Sequence, residues 1–197
     1  AWLGPDAALR GEHVPDGAAE LDCRGRAVLP ALVDSHTHLV WGGDRKHELE
    51  MRLAGADYEA IFAAGGGILA SVRRTRELSE DELFSQSLAR LQRMIRSGTT
   101  AVEIKSGYGL DLGTELRQLR VARRLAEATG VRVKTTCLAA HALPAELRDR
   151  PEGRAAYVAQ VCDEILPAAD AAGLADFVDV FCDRGAFTPD ETRTILR

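Results

Sequence analysis

No apolar run in this 197-residue chain approaches the roughly 20 residues of a membrane-spanning helix, and no signal-peptide pattern opens it. Positive charge is in short supply: 25 Lys and Arg against 30 Asp and Glu leave a net charge of −5. That balance leaves no footprint for nucleic acid or an anionic membrane, so neither is expected as a partner. The four cysteines (Cys23, Cys137, Cys162, Cys182) lie far apart with no C-x-x-C. They exclude a dense disulfide framework and predict a reducing, cytoplasmic setting. Two phosphate-binding signatures are missing as well. Without G-x-G-x-x-G after the first strand-like segment, or G-x-x-x-x-G-K-[ST] anywhere, binding of dinucleotides or nucleoside triphosphates is not indicated.

What remains is 46% hydrophobic and 28% charged, an ordinary balance for a globular protein, with a length that suits one domain or a large piece of a bigger one. The chain begins AWLG without Met and ends TRTILR. Both ends read as the interior of something longer.

Residues 1–29 carry short strand-like pieces (AWLG, AELDC, RAVL) broken by Gly and Pro, a small β element with no core of its own. A rhythm then sets in over 30–197. Strands are predicted at 31–38, 99–105, 131–138 and 177–182, and a loop rich in Gly and charge, WGGDRKHELEMRLAG, follows the first. Short helices flank the glycine run 65–67. Ser79 and Glu82 form a capping box that opens an amphipathic helix ending at Gly98, with Leu83, Leu88, Leu91 and Ile95 on its apolar stripe. The segment TELRQLRVARRLAEAT forms a helix capped by Gly130, and another helix runs from about 153 to 172, interrupted near Pro167. T-P-D-E at 188–191 is a second capping box with Pro at the first helical position. Four strands alternating with helices predict a parallel α/β sheet. Four such units suit a small open sheet or half of an eight-unit barrel; the fold class expected is a partial (β/α)8 TIM barrel, its first four β-α units, because distinctive residues gather at carboxyl strand ends.

Those residues begin in PALVDSHTHLVW. Strand side chains alternate with period two, so Asp34, His36 and His38 share a face. Two imidazoles at that spacing can both reach one divalent ion, at about 2.0–2.1 Å each for zinc; the alternative is two histidines hydrogen-bonded at a strand end. A complete site needs a third and usually a fourth ligand. Arg45 overhangs the same strand end, and its planar fork suits a carboxylate. Glu103 and Lys105 alternate on the second strand, either as an ion pair filling a barrel layer or with a direct role. Glycines 107 and 109 present Tyr108 in a tight turn, and His141 ends the third strand as His38 ends the first. Asp179 and Asp183 are candidates for a carboxylate on the fourth strand. Cys137 and Cys182 read as small buried apolar residues, and His13 and His47 as surface residues.

The stretches LVDSHTHLVWGGDR, AAGGGI, GTTAVEIKSGYGLD, TTCLAAHALP and DVFCDRGAF together resemble the imidazolonepropionases of histidine degradation, within the metal-dependent amidohydrolase superfamily. The resemblance runs across nearly the whole chain, and EIKSGYGL separates this family from its deaminase relatives. It implies that 30–197 is the first half of a (β/α)8 barrel and that 1–29 is part of a small β-sandwich built from both chain ends. It implies His36 and His38 as the first two ligands of a single Zn2+ or Fe3+ ion, and Arg45, Tyr108 and His141 as substrate contacts. The implied reaction is hydrolysis of a ring C–N bond of 4-imidazolone-5-propanoate to N-formimidoyl-L-glutamate. A small molecule is thus the expected partner, with a homodimer left open. The family's third histidine ligand, general-base glutamate and last aspartate ligand lie on later strands, so the general base is expected beyond Arg197. Another cyclic-amide hydrolase or a deaminase on the same fold, and an inactive truncated product, are the alternative readings.

Overall fold

A computed structural model of the chain describes residues 16–19, 21–57, 60 and 66–197. The chain divides into two compact units, Ala1–Pro30 and Ala31–Arg197. In the first, the described residues form turns and unpaired backbone, with Leu21, Val28 and Leu29 exposed. RAVL, expected as strand, pairs with nothing among the described residues, and a strand exists only by pairing. AWLG and His13 lie outside the described residues, as does part of AELDC.

The second unit holds a four-stranded sheet: β1 Leu32–Thr37, β2 Thr99–Lys105, β3 Arg132–Ala140 and β4 Phe177–Val180. Every neighbouring pair is parallel and the order follows the chain. The strands expected from the sequence are therefore present, and with helices against one face they form a curled α/β half-barrel. Alternation decides what each face carries. Val102, Ile104, Val133, Cys137 and Val180 are buried towards the helices. Glu103, Lys105, Thr136 and Asp179 meet one another on the opposite face.

The helices begin and end where local chemistry says they should. Helix α1 spans Lys46–Leu53, α2 Ile68–Glu77 and α3 Glu80–Arg96. Ser79 and Glu82 form the reciprocal capping box of α3, and Leu83 and Leu91 on its stripe are wholly buried. Helix α4, Leu112–Thr129, starts on the Asp111 side chain and stops at the left-handed Gly130. After the short turn α5, Ala145–Arg148, comes α6, Gly153–Gln160, then a π-helical turn Val161–Ile165 and α7, Leu166–Ala171. The interruption expected near Pro167 takes this form: proline cannot donate to the ladder, and the preceding turn widens to absorb the missing bond. Helix α8, Pro189–Ile195, opens on the Thr188–Glu191 capping box.

Two expectations are corrected. The sequence predicts a loop after β1, yet α1 forms within it. Its apolar residues Leu49 and Leu53 are exposed, so no periodic buried face announced it. The helix is held instead through one polar side chain, Glu48, 3% exposed. Cys182 reads as buried in the sequence and is exposed: the Phe181 N–H still donates to Ala140 of β3, but the chain turns at Cys182, whose N–H donates to the Val180 carbonyl. Cys137 is buried and His47 exposed, as expected.

Candidate active site

The functional candidates converge at the carboxyl ends of the strands. His36 lies in β1 and His38 one residue past its end, Tyr108 in the turn after β2, and His141 directly after β3. Their rings form one cluster. His38 stacks on His141 with centroids 4.7 Å apart and planes 12° from parallel. Tyr108 lies 5.1 Å from His38 and 5.5 Å from His141, and His36 meets His38 edge-on at 5.8 Å. The backbone N–H of His36 donates to Asp34 Oδ1 at 3.3 Å, so that aspartate supports the strand locally.

Burial disfavours a charge on two of these rings, His38 and His141. Burial, with His141 and His36 alongside, pulls the His38 imidazole down to about 4. Its Nδ1 is buried without a hydrogen-bond partner. Burial likewise lowers His141, whose Nδ1 lies 3.0 Å from the Gly107 carbonyl oxygen. The Tyr108 phenol is pushed up by burial and stays protonated at neutral pH. A buried neutral imidazole with a bare nitrogen is a chemically suitable donor to a cation. Among the described residues, however, no group of three or more His, Cys, Asp or Glu side chains could hold a metal ion.

Lys105 donates to Glu103 at 2.9 Å and to Asp179 at 3.0 Å, while the Thr136 hydroxyl donates to Glu103. Burial opposes the Lys105 charge, but the two carboxylates outweigh it and hold the ammonium above its ordinary value. The ion-paired layer that is one of the two readings of Glu103 and Lys105 is present. Asp179 joins it. Asp183 lies beyond β4 in an exposed turn, with its carboxylate on the Arg184 N–H.

Arg45, Tyr108 and His141 line one open cavity of about 730 Å³ at this end of the sheet. Among the described residues three more arginines border it, Arg148, Arg154 and Arg184, and no carboxylate does. Arg154 is braced by Glu191 through Nε at 2.8 Å and Nη2 at 2.7 Å. Arg45 is braced the same way, its Nε 2.8 Å from Glu48 Oε1 and its Nη2 bonded to Oε2. Glu48 also accepts the Gly67 N–H at 2.8 Å, tying the guanidinium to the glycine run. The sequence reading missed the three further arginines. They sit on α5, on α6 and in the turn after β4, and nothing local marks them as facing one cavity.

No family model matches the chain. Curated relatives do. The chain is 53% identical over 199 residues to an imidazolonepropionase of Polaromonas sp. (strain JS666 / ATCC BAA-500), covering all of this chain and 45% of that protein. It is 50% identical over 195 residues to the imidazolonepropionase of Pseudomonas fluorescens (strain Pf0-1), covering 99% and 47%. An imidazolonepropionase of Brucella anthropi is 49% identical over 196 residues, with 100% and 47% covered. The chain thus spans about half the length of the curated relatives it matches.

Proposed function

We propose, from the premise that this chain belongs to the imidazolonepropionase family, that it supplies half the active site of a metal-dependent hydrolase opening 4-imidazolone-5-propanoate to N-formimidoyl-L-glutamate. The observation that carries the reading is the cavity: four arginines and, among the described residues, no carboxylate in its lining suit a small anion, and Tyr108 and His141 of the ring cluster line it. His36 and His38 are the residues that would hold one zinc or ferric ion, with further ligands and the general base contributed from beyond Arg197. The bare Nδ1 of His38 fits that assignment. Such an ion acts as a Lewis acid that makes water nucleophilic near neutral pH.

The chain's own residues then bind and orient. Arg45, its plane set by Glu48, holds the propionate carboxylate. Tyr108, protonated, donates to a polar atom of the ring, and His141, kept in place by the Gly107 carbonyl, flanks it. Water adds to the ring carbonyl carbon, the ring C–N bond breaks, and the nitrogen leaves carrying a proton, with no ammonia released. A cytoplasmic site for this reaction is in keeping with four unbridged cysteines.

The test is turnover by the full-length protein loaded with zinc or iron. Expected is loss of imidazolonepropanoate with formation of the formimidoyl product; ammonia release from an amino-substituted ring, without ring opening, would make it a deaminase instead. In the same assay Arg45→Lys is expected to raise KM by about tenfold while the thermal transition barely moves, since lysine keeps the charge but loses the fork that both Glu48 and a carboxylate use. Unchanged KM and kcat would remove Arg45 from the substrate site.

A further inference from the structure

Four successive backbone N–H groups of the turn that carries Tyr108 are accepted by two side chains of one helix. Glu115 takes those of Gly107, Gly109 and Leu110 at 3.0, 2.8 and 2.8 Å, and Gln118 takes that of Tyr108 itself at 3.2 Å. The two residues stand one turn apart on α4, three positions in sequence, and are 0% and 1% exposed. The Gln118 amide then donates to the Val40 carbonyl at 2.6 Å, two residues past His38. Arg76 grips the other side of the turn, donating to the carbonyls of Gly109 at 2.7 Å and Leu110 at 3.1 Å.

The turn is built so that it needs this hold. Leu110, a non-glycine residue, sits at φ +55°, a conformation that persists only where the surroundings enforce it. A Cβ on Gly107 would come within 2.8 Å of the Leu138 carbonyl oxygen, and one on Gly109 within 2.6 Å of the Glu115 nitrogen. The turn is packed against both β3 and α4 with no room to shift.

We infer that Glu115 and Gln118 are positioning residues that fix Tyr108 against His38 and His141 and lock its turn to the segment after β1. The inference rests on the proposed function only where it concerns substrate. Three of the Glu115 partners are backbone N–H groups, which can only donate, so the cage fits an ionised carboxylate. The first turn of α4 favours that negative charge too. Burial pushes the carboxyl up, and the donors oppose it.

Two variants of the full-length protein test this. Glu115→Gln points amide hydrogens at groups that also donate, and Gln118→Met keeps the volume but loses both hydrogen bonds. Hydrogen exchange, read by mass on peptides spanning 106–111 and 132–140, is expected to rise about tenfold or more at 107–110 while β3 keeps its protection. KM for imidazolonepropanoate should rise by about tenfold, and the same substitutions should add little in a Tyr108→Phe background. Unchanged exchange at 107–110 in both variants, or protection lost across the molecule at once in both, would overturn the inference. Full additivity with Tyr108→Phe would overturn its link to the phenol. Should the parent protein itself turn over nothing, the proposed function fails, and the exchange data still decide whether the clamp holds the turn.

Discussion

Full-length protein carrying His36→Ala or His38→Ala is expected to retain no stoichiometric metal after dialysis, and to lose turnover by more than about a hundredfold, since even outer partners of a ligand cost 10–100-fold. On the proposed assignment each substitution would delete a direct bond to the ion, and the remaining ligands would not close the geometry. The two variants should differ in stability. His36 is exposed, so its removal leaves the packing as it was. His38 is stacked on His141 and tilted against Tyr108, and cutting it to alanine opens a gap beside both rings. Metal content and the thermal transition, measured together, separate these effects. Stoichiometric metal in both variants would refute the assignment of the pair as ligands.

Residues 1–197 expressed alone are expected to self-associate and to show no turnover. Among the described residues β1 is paired only with β2, and β4 only with β3, so each offers an unpaired edge to another chain. Large side chains stand open on those strands: Leu32 is 60% exposed, Val33 70% and Phe177 55%. Each such side chain left uncovered forfeits roughly 1.5–3 kcal/mol, against a whole-domain stability of about 5–15 kcal/mol. Pairing with a second copy, or aggregation, recovers part of that loss. Light scattering after size exclusion, a thermal scan and an imidazolonepropanoate assay on the same preparation report all three parts. A monodisperse monomer with cooperative unfolding would show that the half-barrel stands alone, and turnover by it would show that no further ligands are required.

The sequence by itself determined the elements whose signals are local. The capping boxes at Ser79 and Thr188 close over three residues, so the sequence spacing is itself the geometry. Gly130 is legible as a helix end because a left-handed residue disfavours a Cβ. H-x-H on an apolar strand placed His36 and His38 near each other by the period of a strand, and the strand–helix alternation then made the parallel order β1 to β4 readable. Only the tertiary structure decided what depends on residues far apart in the chain. Helix α1 has no buried apolar stripe and is tied down by Glu48 reaching Gly67, 19 positions away. Arg154 reads as a surface residue until α6 is folded over the cavity. Gln118 looks like an ordinary helix former, because the Val40 carbonyl it bonds lies 78 positions away and reaches it only in the folded chain. Cys182 is exposed because the chain turns out of the sheet directly after the Phe181 N–H bonds Ala140 of β3. Local backbone preference is written in neighbours a few positions apart, whereas burial and convergence are properties of the packed chain.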